Sequence, residues 1–273
     1  MPDKKLSQDA LDQIDQYSRD RVGISTLERY TGSAAAEFQP FILLTNFKHY
    51  VDVFAGHFNE PIRQGSVMQA CHATHENISI INYSVGSPTA ALVMELLSFI
   101  KPKAVIMLGM CGGLRDEHKA GDFFNPVAAI RGEGTSDSYM PKQSPSLSSF
   151  VIQRFACEAL EKRRLKYHTG VIHTTNVRFW EFNEEFKKTL DEERAQAIDM
   201  ECATLFTVGF AKYVPIGALM LISDTPRKAT GIKTAGSAKE VFEKFTGVHI
   251  EVGIEVLKNM QGKEKEDGLG YKF

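Results

Sequence analysis

The stretch Ala218-Leu-Met-Leu-Ile-Ser-Asp224-Thr-Pro226 joins an apolar run of strand length to an acidic residue and a proline. The apolar run is typical of a buried parallel strand, and Pro226 disfavours helical backbone in the residue before it. Asp224 is therefore predicted at the carboxyl end of a central strand, where open α/β sheets bind their ligands. A carboxylate at such a place also caps turns and helices, so this segment alone leaves a structural role open.

Similar apolar runs alternate with helical patterns along the rest of the chain. Further strands are predicted at 40–45, 67–73, 78–85, 104–110, 123–130, 170–175 and 198–201. Helices are predicted at 88–100, from Ser144 to about 164, at 183–194 and at 237–260, with a long loop at 131–148. This order predicts a single α/β domain whose central, mixed and largely parallel twisted sheet is flanked by helices. Residues 1–30 are interpreted as a helical extension, 31–262 as the domain, and 263–273 as a charged tail.

Composition narrows the possible functions. A net charge of −2 gives no bulk attraction to nucleic acid or to an anionic membrane surface, so neither is expected as a partner. The chain contains no apolar run of transmembrane length, and its N-terminus lacks the apolar core of a signal peptide. The four cysteines are scattered, without a Cys-x-x-Cys pair. This pattern predicts a reduced, cytoplasmic protein without disulfides or a zinc site.

A second acidic segment, Asp199-Met-Glu201, follows a short apolar run. The two carboxylates share one face if the backbone is extended, and their apolar neighbours indicate an interior position. A buried carboxylate needs a partner or hydrogen-bond donors. Sugar hydroxyls are suitable donors, and so is an arginine of the protein, so ligand binding and a structural ion pair both remain open.

Two further segments follow predicted strands. The run Gly109-Met-Cys-Gly112-Gly113 lacks the G-x-G-x-x-G spacing, and no helical pattern follows it directly, which disfavours a dinucleotide loop. Its glycines permit close approach of backbone N–H groups to a ligand, although tight strand packing explains them equally well. The pair Phe179-Trp180 either packs in the core or stacks on a purine.

Together these segments resemble the nucleoside phosphorylase/nucleosidase superfamily, and within it most closely the AMP nucleosidases. The resemblance runs from Tyr30 to about Ile254. Its matching segments are Leu44–Asp52, Val85–Pro88, Leu108–Asp116, Thr174–Glu181, Ala197–Thr204 and Ile222–Pro226. The order and spacing of these segments carry the resemblance, since each of them alone is a weak signal.

Carried to this sequence, the resemblance implies that Asp224 protonates N7 of a departing purine and that Glu201 accepts hydrogen bonds from ribose hydroxyls. Met200 would pack on the sugar, and either Phe179 or Trp180 would flank the base. The resemblance places the remaining substrate contacts at Asn46, Val85, Gly86, Gly109, Cys111, Gly112 and Thr175.

A 5′-phosphate on the substrate requires cations or N–H donors. The candidate cations are Arg63, Arg115, Arg178, Lys48 and His49. Arg63 falls near the superfamily arginine that reaches into a neighbouring subunit's site. The resemblance therefore implies a homo-oligomer, a hexamer assembled as a trimer of dimers.

The chain departs from the phosphorylases of this superfamily at the positions that hold inorganic phosphate. Phosphorylases carry an arginine and a serine or threonine there, whereas this sequence has Met107 and Met110. Thioethers do not offset the desolvation of a dianion, so water is the expected nucleophile. The resulting hypothesis is hydrolysis of AMP to adenine and ribose 5-phosphate, without a metal or organic cofactor.

Two alternatives stay open at the level of sequence. The first is a purine nucleoside phosphorylase, or a nucleosidase that acts on unphosphorylated nucleosides. The second is a noncatalytic module that binds purine nucleotides. Retention of both Asp224 and Glu201 disfavours the second, because a sensor does not need an acid for the leaving group.

Overall fold

The structure, a computed structural model, describes residues 8–227, Gly231 and 235–263, with side chains for residues 15–227 and 241–263. Its strands are β1 (Phe41–Thr45), β2 (Ile62–Gln64), β3 (Gln69–Ala73), β4 (Ile78–Asn82), β5 (Ala104–Gly113), β6 (Phe123–Gly132), β7 (Ser146–Leu147), β8 (Tyr167–Thr175), β9 (Ala197–Asp199) and β10 (Ile216–Asp224). Its helices are α1 (Gln8–Thr31), α2 (Lys48–Phe58), α3 (Ser87–Ile100), α4 (Phe150–Lys162), α5 (Glu184–Glu192), α6 (Cys202–Ala211) and α7 (Ala235–Met260). The predicted single α/β domain is confirmed.

Strand β5 organises the sheet because it has three neighbours. One of its edges pairs with β10 from Val105 to Gly112. The other edge pairs first with β1, as far as Leu108, and then with the antiparallel β9 at Gly112 and Gly113. Residues 109–111 on that edge lie between the two partners, so β1 and β9 separate there. This separation opens a gap at the carboxyl half of β5.

The remaining pairings close part of the sheet on itself. Strand β10 also pairs with β6, β6 with β8, and β8 with β9, so these four strands and β5 form a ring. Strands β1, β4, β3 and β2 extend from β5 as an open arm. Both pairing directions occur, and the two longest pairings, β6–β8 and β5–β10, are parallel. The sheet is therefore mixed, as predicted.

Helices cover both faces of the sheet, because alternate residues of the central strands are apolar on both sides. Helices α3 and α6 bury Leu97 and Leu205 in one core cluster, which also includes Leu27 of α1. Helices α4 and α7 bury Phe155 and Val256 in the other. Each such side chain stabilises the fold by about 1.5–3 kcal/mol relative to an exposed position. Strand ends are thus held firmly enough to position a site.

The structure differs from the sequence prediction in several places. Helix α2 and strand β2 were not predicted, although α2 buries Tyr50, Val51, Phe54 and Ala55 at helical spacing. Strand β2 has three exposed residues and forms the outer edge of the sheet, so it carries no apolar signal.

Three predicted boundaries are wrong for identifiable reasons. Strand β5 continues to Gly113 because the glycine-rich segment pairs with β9 and β10 instead of forming a loop. Helix α4 begins at Phe150 and not near Ser144, because Ser146–Leu147 pairs with β6. Strand β9 ends at Asp199, since Glu201 is already the N-cap of α6.

The predicted tail, 263–273, lies outside the described residues apart from its first residue. In the part of the chain that the structure describes, no helix has both the length and the apolarity needed to cross a membrane.

Candidate active site

A cavity of about 230 Å³ lies in the gap at the carboxyl half of β5. Its wall includes the carboxyl ends of β8, β9 and β10 and the connections that follow β1 and β4. Ten of the residues predicted for the site line this cavity: Asn46, Val85, Cys111, Gly112, Thr175, Arg178, Trp180, Met200, Glu201 and Asp224. The topology therefore gathers segments that lie far apart in the sequence.

Three helices begin at this cavity. Their N-caps are Phe47 for α2, Gly86 for α3 and Glu201 for α6. The first turn of a helix has unsatisfied N–H groups and a partial positive charge. Three such turns around one cavity favour a ligand with anionic or electron-rich oxygens.

Glu201 is buried at the junction of two of these helices. Its Oε1 accepts a 2.8 Å hydrogen bond from the backbone N–H of Gly86, and the side chain of Asn46 donates another. Gly86 has φ +101°, a backbone conformation that favours glycine. The hydroxyl of Ser87 donates a 2.7 Å bond to the carbonyl of Met200, which holds the starts of α3 and α6 together.

Asp199 lies beside Glu201 and is equally enclosed by protein. The hydroxyl of Thr174 donates a 2.6 Å hydrogen bond to its Oδ1. The backbone N–H groups of Glu201 and Cys202 donate to its Oδ2 at 3.1 and 2.6 Å. Burial raises the pKa of Asp199, and these donors oppose the rise because they stabilise the anion.

Burial opposes the ionisation of both carboxyls. Burial, and then the charge of Asp199, raise the pKa of Glu201 to about 8. Because Asp199 has three donors aimed at it, we assign the charge to Asp199 and the proton to Glu201. A ligand that offers hydroxyl donors to Glu201 favours its ionised form and so releases that proton.

Asp224 enters the cavity through an irregularity at the end of β10. The pairing of β10 with β5 shifts register between Ile222 and Asp224, which places Asp224 opposite Gly112. Such bulges redirect side chains next to sites. The hydroxyl of Ser223 contacts the carboxylate of Asp224 and lies 3.3 Å from the carbonyl of Cys111. This contact fixes the carboxylate at the cavity wall.

Gly112 favours this arrangement because a Cβ there would lie closer to its neighbours than ordinary van der Waals contact. A Cβ on Gly112 would lie 3.1 Å from Ile198 and 3.3 Å from Pro226. The glycine thus lets β9 and the segment after β10 approach β5 closely. Gly112 also lines the cavity itself.

The connection after β8 closes another side of the cavity. Trp180 is buried, packs near Phe186 at a ring distance of 6.1 Å, and lines the cavity. Phe179, the other predicted base-flanking residue, is 71% exposed and does not line the cavity. The guanidinium of Arg178 lies 5.6 Å from the Phe179 ring and donates a 3.2 Å bond to Glu181.

Arg178 is the one lysine or arginine that lines the cavity among the described side chains. Arg63 instead pairs with Glu37 at 2.7 Å on the exposed edge strand β2. Arg115 donates a 2.8 Å bond to the carbonyl of Arg194. Lys48 and His49, in the first turn of α2, also lie outside the lining.

Two other predicted residues are not on the cavity wall. A Cβ on Gly109 would lie 2.5 Å from the side chain of Met107, so this glycine faces the core. Gly86 contributes only through its hydrogen bond to Glu201.

The prediction that Met107 occupies a phosphate-binding place is wrong: Met107 is buried, accepts a hydrogen bond from the hydroxyl of Tyr83, and does not line the cavity. Met110 does line it, together with Cys111 and Gly112, which follow it in β5.

Seven lining residues were not predicted as substrate contacts: Phe47, Met110, Val177, Glu181, Ile198, Asp199 and Ser223. All of these except Ile198 adjoin a predicted residue in the sequence, so a difference of one position separates them from the prediction. Glu181 had a usable signal, since an acid between Trp180 and Phe182 in an aromatic segment requires a partner when it is buried.

Comparison with known proteins agrees with this geometry. The sequence profile of the phosphorylase superfamily matches residues 40–258. An AMP nucleosidase of Escherichia coli (strain K12) is 29% identical over 279 residues, which covers 86% of this chain and 57% of that protein. The chain thus spans little more than half the length of this curated relative. A uridine phosphorylase of Treponema pallidum is 25% identical over 222 residues, which covers 76% of this chain and 86% of that protein.

Solved structures give the same relationship in three dimensions. The crystal structure of AMP nucleosidase from Bacteroides thetaiotaomicron superposes with a TM-score of 0.80 at 41% identity. The match covers 90% of this chain and 99% of that one. A uridine phosphorylase from Vibrio fischeri superposes with a TM-score of 0.74 at 18% identity, over 82% of this chain and 93% of that one, which is a likeness of fold alone.

Proposed function

Because this chain belongs to the phosphorylase superfamily, we propose that it hydrolyses the N-glycosidic bond of AMP and releases adenine and ribose 5-phosphate. The observation that carries the proposal is the presence of Asp224 and Glu201 in one cavity, at the strand and helix ends. The names of the relatives in Escherichia coli and Bacteroides thetaiotaomicron support AMP as the substrate.

The first requirement of this reaction is an acid for the leaving base. Cleavage of the C1′–N9 bond leaves electron density on the purine, and protonation of N7 converts it into a neutral leaving group. In the proposed role, Asp224 delivers this proton from the end of β10. Its contact with Ser223 supports the role because it orients the carboxyl group at the wall.

The second requirement is a fixed sugar. In the proposed complex the ribose hydroxyls donate to Glu201, while the bonds from Gly86 and Asn46 hold that carboxylate in place. Oδ1 of Asn46 is buried and has no hydrogen-bond partner among the described residues, so it can accept from a hydroxyl as well. Such positioning lets a water molecule approach C1′ opposite the base.

The third requirement concerns anions. Among the described side chains, Arg178 is the one lysine or arginine that lines the cavity, and its guanidinium can bind one phosphate group through two parallel hydrogen bonds. We assign it to the 5′-phosphate, so no cation of this subunit remains for inorganic phosphate as nucleophile. The thioether of Met110 at the cavity wall supports water instead.

We also propose that the protein is a cytoplasmic homo-oligomer, assembled as a trimer of dimers, in which Arg63 enters a neighbour's site. Arg63 lies on the exposed edge strand β2, and its side chain is 44% exposed. An exposed edge strand is a common interface element. All four cysteines lie in the described part of the chain and none forms a disulfide, which supports a reducing compartment.

The proposal is tested by incubating the protein with AMP, adenosine and inosine, with and without inorganic phosphate, and identifying the products. Free adenine and ribose 5-phosphate from AMP are expected in both buffers. Cleavage of the unphosphorylated nucleosides in preference to AMP would assign the alternative activity. Binding of AMP without turnover would assign a noncatalytic module.

A further inference from the structure

Glu181 is a buried carboxylate for which the proposed reaction has no use so far. It lies in the short helical turn Trp180–Phe182 after β8, is 6% exposed, and lines the same cavity as Asp224. Its Oε1 accepts a 3.2 Å hydrogen bond from Arg178. Its Oε2 is buried and has no hydrogen-bond partner among the described residues.

A carboxylate oxygen without a donor in a buried place is destabilising. Such groups in folded proteins call for an explanation, and a ligand in the adjoining cavity supplies one. An ionised carboxylate can only accept hydrogen bonds. The matching ligand group therefore carries an N–H or O–H donor.

The chemistry of AMP leaves one donor for this position. The ribose hydroxyls are assigned to Glu201 and Asn46, which lie at the starts of α6 and α2. A phosphate dianion offers no donor. The exocyclic amino group of the base remains, and Trp180, the residue before Glu181, offers an aromatic surface beside it in the cavity.

Resting on the proposed function, we infer that Oε2 of Glu181 accepts a hydrogen bond from the exocyclic amino group of adenine and thereby selects 6-aminopurines over 6-oxopurines. A 6-oxopurine presents a carbonyl oxygen at that place, so two acceptors would face each other. Buried polar groups that lose their partner discriminate strongly between such analogues.

Arg178 bonds to Oε1 of this carboxylate, so Oε2 remains available to a ligand. Its own side chain is 53% exposed. In the proposed complex, Glu181 thus contacts the base and Arg178 contacts the 5′-phosphate. Glu181→Gln is close in shape and keeps an oxygen for Arg178, but its amide can donate to a carbonyl.

The test is equilibrium binding of three free bases, adenine, hypoxanthine and unsubstituted purine, to the wild-type protein and to Glu181→Gln. The wild-type protein should bind adenine more tightly than hypoxanthine. Glu181→Gln should lower the ratio of adenine affinity to hypoxanthine affinity by roughly 10- to 100-fold, the usual effect of one hydrogen bond to a charged group. Binding of unsubstituted purine should change little.

Glu184→Gln is the matched control, because it makes the same chemical change at an exposed carboxylate that pairs with Lys187 and does not line the cavity. It should leave the adenine-to-hypoxanthine ratio unchanged. The inference is overturned if Glu181→Gln does not change the ratio, if Glu184→Gln changes it equally, or if the wild-type protein binds neither base. Preference of the wild-type protein for hypoxanthine would also overturn it, since the carboxylate would then serve the N1–H group.

Free bases contain no glycosidic bond, so this experiment separates the inference from the proposed function. A protein that binds adenine through Glu181 but leaves AMP intact contradicts only the proposed reaction. A protein that cleaves AMP and IMP equally well, with a base-affinity ratio insensitive to Glu181→Gln, contradicts only the inference.

Discussion

The backbone N–H of Gly86 donates a 2.8 Å hydrogen bond to Oε1 of Glu201, across 115 positions of sequence. The bond joins the first turn of α3 to the N-cap of α6. It stabilises the ionised form of Glu201, whereas burial and the nearby charge of Asp199 stabilise the protonated form. These effects together raise the pKa of Glu201 to about 8. Hydrogen bonds donated by sugar hydroxyls would lower this pKa and so release the proton.

This pKa predicts a pH-dependent effect of Glu201→Gln on stability. Above the ordinary pKa of 4.5 the unfolded chain releases the proton, while the folded protein retains it up to about pH 8. The free energy of unfolding of the wild-type protein therefore carries a contribution that falls as pH rises through this window. The variant lacks this contribution.

The melting temperature of Glu201→Gln relative to the wild-type protein should thus rise by on the order of a few degrees between about pH 5 and pH 8. Thermal unfolding at several pH values measures this difference. A difference that stays constant across the window would show that Glu201 titrates normally in the folded protein.

Asp224→Asn should lower kcat for AMP by roughly 10²–10⁴-fold, the usual range for a general acid. The side chain keeps its shape, so the melting temperature should change little. Steady-state kinetics together with thermal unfolding test this prediction. Near-normal turnover in the variant would remove Asp224 from the proposed mechanism.

Arg178→Ala should lower kcat/KM for AMP by roughly 10- to 100-fold, because one charge-assisted contact with the 5′-phosphate is lost. Adenosine lacks the phosphate, so its kcat/KM should change little. Arg115→Ala is the matched control, since this arginine bonds to the carbonyl of Arg194 outside the cavity. Equal losses for AMP and adenosine in Arg178→Ala would contradict the assignment.

Arg63→Ala should raise KM for AMP more than KM for adenosine if the residue completes a neighbour's site. Glu37→Gln removes the same-chain partner of Arg63 but keeps the cation, so KM for AMP should not rise. Light scattering during size-exclusion chromatography reports the oligomeric state alongside the kinetics. A fully active monomer would rule out this intersubunit role.

The ends of the central strands, and the acidic residues that follow them, could be predicted from the sequence. The run before Asp224 is apolar enough to require burial on both faces, and a buried strand that ends in an acid favours a site. The same reasoning places Glu201 in the cavity. The local pattern predicted the position of both acids, whereas the roles proposed for them came from the order and spacing of several segments together.

The direction in which a strand side chain points, and the residue with which an arginine pairs, were harder to predict. Met107 and Met110 are three positions apart in one strand, so they point to opposite faces, and only Met110 lines the cavity. Arg63 and Arg178 look alike in sequence, yet tertiary contacts pair one with Glu37 on an edge strand and place the other at the cavity. Such distinctions depend on strand register and on residues distant in sequence.

The most direct test of the central claim is ³¹P nuclear magnetic resonance of AMP incubated with the protein in phosphate-free buffer, repeated with inorganic phosphate added. Hydrolysis predicts that the AMP signal is replaced by that of ribose 5-phosphate at the same rate in both buffers, with equimolar free adenine. Turnover that requires added phosphate and produces ribose 1,5-bisphosphate would contradict the account.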